Sequence, residues 1–556
     1  MPTLIQNISG SPISLPYPYY GLLGAGRGII FSDEEAVTLA NLGGADAIRD
    51  ILSLTHVSDS GNNPLSIQHD PVIYQKQMTK IVDETYWVDQ VLGSDDNVGT
   101  QLKPFKTINA ALGKLPHVIS ANFTVNVKAG TYDERIAIST HFAVTTTLLT
   151  ITGQDWNLVT PATGVNTGTF TSATTRFLTM TGAGWTVNNL TSKFVKMTSG
   201  TLAGKYYPIA SNTATALEVA TTASASSYNG QSFQIVMPAA IIAPSTGAQS
   251  VVTFRSQGTA IGSAGSSFVL NNLQFIGPNV SGSRPVLEAS DNGCFVLNNC
   301  YVKTLLTNTG GCLSSRSAHV THSLYNCIFE LSGSGSCIEL EGGSLGPSAC
   351  FINSLNSGGM KGGPGIRANQ VISLQTTGSI IQNFTDTTGG SGYEVSGCEA
   401  YFFSCVIRGC NWGISLKTRG IAAASGTEIT GNLVHGVDIA TPTQRGFCRF
   451  SASGASKIQT NGSDGIRMSI CYAEVYLANT TDFGGNGGFG VNMKGAVTGD
   501  HGFNQVHVTG TVTATVANTL GDMAIDGVTA TSLATLRAAP GKTITDTALM
   551  HRMTSD

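Results

Sequence analysis

A pattern of apolar residues followed by asparagine repeats four times along one part of the chain. Between Phe268 and Ser354 the copies read FVLNNLQFIG, CFVLNNCYVK, HSLYNCIFEL and CFINSLNSGG. The aligned asparagines lie 27 residues apart, at Asn272, Asn299, Asn326 and Asn353. A fixed period of roughly 20–50 residues is typical of solenoid proteins, in which each repeat buries its apolar face against its neighbours.

Each copy has the pattern of two short strands joined by a sharp turn. Apolar residues precede the asparagine, and alternating residues follow it, as in Leu273-Gln-Phe275. Asparagine tolerates the left-handed backbone of such a turn, and its amide can hydrogen-bond to an asparagine one rung away. We therefore predict that the four asparagines form one column at a single turn. Leu273, Cys300 and Cys327 should stack inward beside them.

A second pattern continues the repeat: a glycine, an apolar residue, one outward residue and another apolar residue. The six copies are spaced by 21 to 29 residues and begin at Gly365, Gly392, Gly413, Gly436, Gly465 and Gly490. A rung of this length accommodates three short strands and three turns, while the loops vary. The repeats therefore predict an all-β chain in which residues 241–495 form a right-handed parallel β-helix.

Composition narrows the choice of partners. Only 12% of the 556 residues are charged, the net charge is −4 and no basic cluster occurs, so we expect no nucleic-acid partner. No run of 18 apolar residues occurs, and the opening MPTLIQNISGSP lacks the pattern of a secretory signal, so we expect neither membrane insertion nor conventional export. The 11 cysteines lie between Cys294 and Cys471, where stacked interior thiols are expected and disulfides or a metal site are the alternatives.

The flanking segments predict four further units. They are an N-terminal module with a linker (1–80), a cap with the first rung (81–152), an inserted small β domain (153–240) and a β-rich C-terminal region (496–556). A capping box at Ser32–Glu35 predicts a helix in the first unit. In the last unit, Val506–Val516 alternates like an edge strand, and Thr529–Ala539 is expected to be helical.

The cap region resembles a known family. The segments YWVDQVLGSDDNVGT, KPFKTINAAL and VKAGTYDE, within residues 86–134, are similar to the opening of pectate-lyase-like β-helix proteins of the bacteriophage tailspike and virion fibre type. This resemblance implies a parallel β-helix, a homotrimer and a place on the virion. It implies no single activity, because the fold hosts lyases, hydrolases and non-catalytic fibres.

Two groups of side chains are candidates for glycan binding or cleavage. If the second pattern stacks, its outward residues form a column: Glu339, Arg367, Glu394, Ser415, Asp438, Arg467 and Asn492. Glycosidases use two carboxylates about 5–9.5 Å apart, and residues two rungs apart are separated by about 9–10 Å. Glu339 and Glu394, with Asp438 as a third carboxylate, are therefore the candidate catalytic residues. Arg367 and Arg467 are candidates for binding.

Arg367 also supports a different interpretation of the same column. An arginine between two glutamates on adjacent rungs forms a charge ladder that separates like charges. The arginine and calcium-binding aspartates that β-helix lyases use cannot be placed on this sequence.

In the insertion, Trp185, Tyr206 and Tyr207 are candidates for stacking on sugar rings, and their alternative role is the core of a small domain. We expect no cofactor. Asp95 and Asp96 lie in one turn and could bind a structural Ca²⁺ ion, but we expect a plain Asx-rich turn without an ion.

These features predict a virion spike or fibre, attached to other phage virion proteins through its N-terminal module and binding host surface polysaccharide through the β-helix. The alternative is a depolymerase, either a glycoside hydrolase or a lyase, that acts on host capsule or O-antigen. We expect binding without cleavage.

Overall fold

A computed structural model describes the chain. It covers residues 83–494 except 116–117, 120, 143–147, 248, 257–266, 280–283, 292–293, 306–309, 317–320, 356–362, 388, 441–446, 470–472 and 479–480, with short segments on either side. The helix predicted at Ser32–Glu35 lies outside the described residues, as does Cys471. The helix predicted at Thr529–Ala539 is wrong at its start, because Thr529 and Ala530 belong to the strand Val528–Ala530; residues 531–539 lie outside the described residues.

Three long sheets, here named I, II and III, contain most of the strands. Sheet I comprises Val118–Ile119, Ile136–Phe142, Val252–Ser256, Leu287–Asp291, Leu313–Ser315, Ile338–Glu341, Ile366–Asn369, Ser391–Ser396, Trp412–Lys417, His435–Ala440, Ile466–Ser469, Phe489–Lys494, Gly521–Ile525 and Val528–Ala530. Sheet II comprises Glu84–Val88, Phe123–Val127, Leu148–Gly153, Ser267–Asn271, Phe295–Asn298, Thr321–Tyr325, Ser344–Ser348, Ser373–Thr377, Glu399–Phe403, Ile421–Ser425, Cys448–Ser453, Ala473–Ala478, Asn504–Thr509 and Leu549–His551. Sheet III comprises Gly130–Tyr132, Ala240–Ile242, Leu273–Ile276, Tyr301–Lys303, Ile328–Leu331, Phe351–Ser354, Ile380–Gln382, Val406–Arg408, Glu428–Thr430, Lys457–Gln459, Thr481–Asp482 and Val512–Thr513.

The order of the strands defines a solenoid. In each rung the chain passes through sheet I, sheet II and sheet III in turn, and each strand pairs in parallel with its counterpart one rung later. The chain is therefore a right-handed parallel β-helix, as the repeats and the family resemblance predicted. Inward apolar side chains from all three sheets form one continuous core from Val88 to Val506.

The asparagine column occupies the turn between sheets II and III. Asn272, Asn299 and Asn326 have φ of 56°, 54° and 51°, the left-handed conformation that asparagine tolerates. The amide Nδ2 of Asn299 donates to Oδ1 of Asn272 at 3.0 Å, and that of Asn326 donates to Oδ1 of Asn299 at 3.4 Å. Three of the four predicted positions are confirmed.

The fourth position in this column was predicted wrongly. Ala349, with a φ of 51°, occupies the turn after Asn326, whereas Asn353 lies within a sheet III strand and pairs with Glu330. This rung is shorter than the preceding two, so the 27-residue interval reaches past the turn into the strand. Leu273, Cys300 and Cys327 are fully buried beside the column, as predicted.

The glycine of the second pattern also stacks from rung to rung. A Cβ atom at Gly413 would lie 2.4 Å from the carbonyl oxygen of Gly436, and one at Gly436 would lie 2.6 Å from that of Gly465. No side chain fits there, which explains why glycine recurs where the chain enters each strand of sheet I.

All ten described cysteines are buried thiols. Burial raises the pKa of Cys405 and of Cys410 to about 12, so both remain protonated and unreactive at neutral pH. The expectation of interior thiols is confirmed for these ten residues.

A short helix, Ile108–Leu112, covers the first rung, and its buried residues are Ile108 and Ala111. The carboxylate of Glu134 accepts hydrogen bonds from the backbone N–H groups of Ile108 and Asn109, at 2.7 and 2.9 Å. These contacts satisfy the donors at the start of the helix. The helix thereby closes one end of the apolar core.

An antiparallel sheet is inserted within one rung, between the sheet II strand Leu148–Gly153 and the sheet III strand Ala240–Ile242. Its strands are Trp156–Leu158, Thr167–Thr169, Ser172–Ala173, Phe177–Thr179, Phe194–Met197, Tyr206–Asn212, Ala216–Val219 and Ser232–Pro238. Two 3-10 turns accompany it, Gly200–Leu202 and Ala225–Ser227. The sheet encloses a core of its own, which includes Phe170, Tyr228 and Phe233.

The antiparallel sheet packs on the outer face of sheet III. Phe194 and Val236 form a joint apolar cluster with Ile328 and Phe351 of the β-helix. Nearby, the guanidinium of Arg408 donates to both carboxylate oxygens of Glu218, at 2.9 and 2.6 Å. Since the side chain of Glu218 is only 4% exposed, this two-point ion pair fixes the relative position of the two cores.

The predicted edge strand at the C-terminus is not an edge. Asn504–Thr509 pairs in parallel with Ala473–Ala478, and Leu549–His551 pairs antiparallel with its other side. In the N-terminal region Thr3–Asn7, Gly28–Phe31 and Val57–Ser58 form one small sheet, and Ile13–Leu15 pairs with Gly21–Leu23.

Candidate functional site

The predicted outward column exists on sheet I. The strand register places one residue from each of eleven successive rungs in line, and the line ends after them at Ala524: Ala137, Thr253, Glu288, Ser314, Glu339, Arg367, Glu394, Ser415, Asp438, Arg467 and Asn492. The last seven are those that the glycine pattern predicted. Neighbouring members are separated by about 4.8 Å, the spacing of paired strands.

Four charged side chains form a network at the middle of the column. Arg367 donates from Nε to Oε1 of Glu394 at 3.1 Å, and its Nη1 lies 3.4 Å from Oε1 of Glu339. The ammonium of Lys417 donates to the other oxygen of Glu394, Oε2, at 2.7 Å. Both oxygens of Glu394 are therefore engaged by cations.

Lys417 was not among the predicted site residues. It lies two residues after Ser415 on the same strand, so both side chains point to the same outer face. The glycine pattern defines one outward residue per rung, here Ser415, and Lys417 occupies a second outward position on the same strand. The alternation of outward residues along the strand was the signal that could have revealed it.

Asp438 and Arg467 form a separate pair farther along the column. Nε of Arg467 donates to Oδ1 of Asp438 at 2.7 Å. The Asp438 side chain is only 6% exposed, whereas those of Glu339 and Arg367 are 36% and 37% exposed. The buried Ser415 lies on the rung between those of Glu394 and Asp438. The three candidate carboxylates thus share a line but not a single cluster.

This arrangement suits contact with a polar chain better than proton transfer. Glu339 and Glu394 stand on alternate rungs, which is the wide separation used by inverting glycosidases. A general acid or base, however, must reach the glycosidic oxygen or a water molecule with an available oxygen. Each oxygen of Glu394 already accepts from a cation and the side chain is only 13% exposed, so a substrate or water molecule could reach only its remaining lone pairs.

Two of the three aromatic candidates are core residues, which corrects the prediction that they stack on sugar rings. Trp185 is 2% exposed and donates from Nε1 to the carbonyl oxygen of Val165 at 2.7 Å. Tyr207 is 6% exposed and packs edge-on against Tyr228. Their rings fill the interior of the inserted sheet, so neither presents a face to a ligand.

Tyr206 has a different environment. Its half-buried ring stacks on Trp156, with the ring centroids 4.0 Å apart, and Nζ of Lys196 lies 5.6 Å from the centroid of the same ring. Trp156, which was not predicted, thereby occupies one face of the Tyr206 ring. This pair borders the junction between the inserted sheet and sheet III.

Several solved structures are similar to the chain in overall shape, and each matches it weakly. They include XylC in complex with xylose (TM-score 0.32, 11% identity, 68% of this chain and 70% of that chain). Two phage proteins are also among them. These are the tailspike gp49 of Pseudomonas phage LKA1 (TM-score 0.30, 10% identity, 74% of this chain and 72% of that chain) and the Gp54 tailspike of Acinetobacter baumannii bacteriophage AP22 in complex with capsular saccharide (TM-score 0.23, 8% identity, 74% of this chain and 83% of that chain). No protein-family model and no curated protein matches the sequence.

The described residues contain no group of three or more histidine, cysteine or acidic side chains arranged to hold a metal ion. Oδ1 of Asp95 accepts hydrogen bonds from the backbone N–H groups of Lys106 and Thr107, at 3.0 and 2.9 Å. Its Oδ2 accepts one from the Thr107 hydroxyl at 3.0 Å. The Asp95 carboxylate therefore organises the turn that leads into the cap helix.

In the part of the chain that the structure covers, no helix is long and apolar enough to cross a membrane.

Proposed function

We propose that this chain is a bacteriophage virion spike or fibre protein that binds a host surface glycan along the outward column of sheet I. The observation that carries the proposal is the column itself, in which ten of twelve aligned residues are polar or charged, the exceptions being Ala137 and Ala524 at its two ends. A polysaccharide presents hydroxyl groups at regular intervals, and a row of carboxylates, guanidinium groups and hydroxyls offers both acceptors and donors to them.

The ion pairs favour binding over cleavage. Arg367 and Lys417 hold both oxygens of Glu394, and Arg467 holds the nearly buried Asp438. Such paired side chains keep a fixed geometry, which lowers the cost of ordering them around a ligand. The alternative, a polysaccharide depolymerase, is supported by the spacing of Glu339 and Glu394 on alternate rungs.

The proposals for the place on the virion and for the oligomeric state are supported by the sequence. The cap motifs within residues 86–134 resemble those of phage tailspike and fibre proteins, which supports a virion component that binds a host receptor. By the same resemblance we propose a homotrimer attached to the particle through residues 1–80.

Binding to purified host surface polysaccharides, measured by biolayer interferometry, tests this proposal. Arg367→Gln should weaken binding roughly tenfold or more, because it removes a charged donor from the middle of the column. Arg449→Gln is the matched control, since Arg449 forms a comparable ion pair with Glu474 at 2.9 Å, but on sheet II. Equal binding by the wild type and both variants would contradict the column as the glycan site.

Release of new reducing ends distinguishes binding from cleavage. We expect no release by the wild type at high protein concentration. If a depolymerase is present, Glu339→Gln and Glu394→Gln should each lower the rate by about 10²–10⁴-fold, the usual contribution of general acid–base catalysis. Release that neither substitution changes would exclude this pair as the catalytic residues.

A further inference from the structure

A cleft opens at the amino-terminal end of the same column. Its volume is about 370 Å³, within the roughly 300–1,000 Å³ typical of small-ligand sites. Ala137 and Thr253, from two consecutive rungs, are small residues of the column that line it, and Glu288 follows on the next rung. Gln249 and Ser250 also line the cleft, from the segment that precedes the strand Val252–Ser256.

The single carboxylate in the cleft is already neutralised. Oε1 of Glu288 pairs with Nη1 of Arg284 at 3.1 Å, and its Oε2 accepts a hydrogen bond from the Ser250 hydroxyl at 2.7 Å. Ser250 is buried, with an exposure of 4%, so its hydroxyl is held in place beneath Glu288. Arg284 and Glu288 therefore contribute no net charge to the cleft.

Arg255 supplies the remaining charge. It lies two residues after Thr253 on the same strand, so its side chain stands on the same outer face and lines the cleft. It is exposed, and among the described residues it has no ion-pair partner. The charges of the three ionised side chains that line the cleft thus sum to one positive charge, that of the Arg255 guanidinium. A guanidinium matches a carboxylate or a phosphate with two parallel hydrogen bonds.

We infer that this cleft is a subsite for an acidic sugar unit, in which Arg255 binds the carboxylate or phosphate substituent of a glycan. The inference rests on the proposed function and specifies its ligand: the glycan bound along sheet I carries negative charge. Gln249 and Thr253 offer amide and hydroxyl groups to the uncharged part of the same unit.

The test compares glycans that differ only in charge. An acidic bacterial polysaccharide that binds the wild type, with uronic acid or with phosphate groups, is measured beside its carboxyl-reduced or dephosphorylated form. Arg255→Gln should weaken binding of the acidic form roughly tenfold or more and should weaken binding of the neutral form much less. Arg367→Gln should weaken both forms, and Arg449→Gln should weaken neither. The carboxylate and phosphate arms show which substituent the subsite takes.

Several outcomes would overturn the inference. One is acidic-glycan binding that Arg255→Gln leaves unchanged, and another is a wild type that prefers the neutral form. In both cases the column of sheet I remains the glycan site if Arg367→Gln still weakens binding. Failure of the wild type to bind any polysaccharide, acidic or neutral, overturns the proposed function and the subsite together. Since Arg255 is exposed, unchanged thermal unfolding of the variant verifies that it has folded.

Discussion

The contribution of a charged or polar side chain to the stability of the fold depends on how deeply the side chain is buried. Glu394 on sheet I is paired with two partly exposed cations, and pairs of this kind contribute roughly 0–1 kcal/mol to stability. Glu218 is almost fully buried against Arg408. Removing one partner of a buried pair costs several kcal/mol, because the other charge remains without compensation. Of these two, only the partly exposed pairs of Glu394 can exchange a protein partner for a ligand at little cost in stability.

His322 is a buried residue whose ionisation should limit stability in acid. Its Nδ1 accepts a hydrogen bond from the backbone N–H of Phe295 at 3.1 Å, and its Nε2 lies 2.8 Å from the Ser315 hydroxyl. A proton on Nδ1 would face that N–H group. Burial lowers the pKa of His322 from 6.5 to about 4.

The sign of the pH effect follows from these two pKa values. The unfolded chain takes up the proton below about pH 6.5 and the folded chain only near pH 4, so stability falls as the pH decreases between them. From pH 7 to pH 5 this residue should cost about 2 kcal/mol. His322→Asn keeps an acceptor for Phe295 and removes the titration. Denaturant unfolding at both pH values should therefore show the wild type losing about 2 kcal/mol more than the variant. Equal losses of unfolding free energy by the wild type and the variant would contradict this role of His322.

At the scale of the element, each rung is held to the next by side-chain ladders as well as by the sheets. Asn432, Asn461, Asn486 and Asn518 form such a ladder, in which each asparagine donates from backbone N and from Nδ2 to Oδ1 of the next. The first three are at most 1% exposed. The ladder aligns successive rungs after the turn that leaves sheet III.

Asn461→Ala should destabilise the β-helix by about 1–3 kcal/mol, because it leaves the backbone N–H of Asn432 buried without an acceptor and leaves its amide Nδ2 with only the carbonyl oxygen of Ile407, 3.5 Å away. Asn298→Ala is the control. Its amide donates to Oδ1 of Asn271 at 2.8 Å, but from a partly exposed position on sheet II, so its loss should cost less than 1 kcal/mol. Denaturant midpoints of the two variants compare these costs. An Asn461 variant no less stable than the control would mean that the ladder contributes only alignment.

The elements show what the sequence could predict. Glycine before sheet I and asparagine at the left-handed turn were visible because only a few residue types fit those backbone positions. The buried asparagine ladder was missed, although Asn432, Asn461 and Asn486 each stand four residues before a pattern glycine. Trp185 and Tyr207 could not be assigned in advance, since a ring that fills a core and a ring that stacks on sugar have the same composition.

At the scale of the whole molecule, the three sheets have different surroundings. Sheet III is covered by the inserted antiparallel sheet through an apolar cluster, while the outward column of sheet I carries half-exposed charged side chains. Sheet II bears exposed aromatic residues at Tyr325, Tyr401 and Phe403. The insertion therefore covers sheet III and leaves sheet I, the proposed glycan face, and sheet II accessible.

The C-terminal residues should control assembly, and the strand register indicates where to truncate them. Strands at Asn504–Thr509 and Gly521–Ile525 continue sheets II and I, and Asn518 accepts the last hydrogen bonds of the asparagine ladder. A chain that ends at residue 499 would lose this rung and expose the apolar core. A chain that ends at residue 530 keeps it.

We expect the full chain to be a trimer in multi-angle light scattering at micromolar concentration. The chain that ends at residue 530 should have a lower trimer content and nearly the same β-rich circular dichroism, because it keeps every parallel strand and loses, of the described strands, only the three residues Leu549–His551. The chain that ends at residue 499 should in addition unfold at a lower temperature, since its terminal rung is unpaired. A monomeric full chain would contradict the proposed trimer. A trimer that survives truncation at residue 530 would instead place the contacts between subunits on the β-helix, where the aromatic residues of sheet II are the first to substitute.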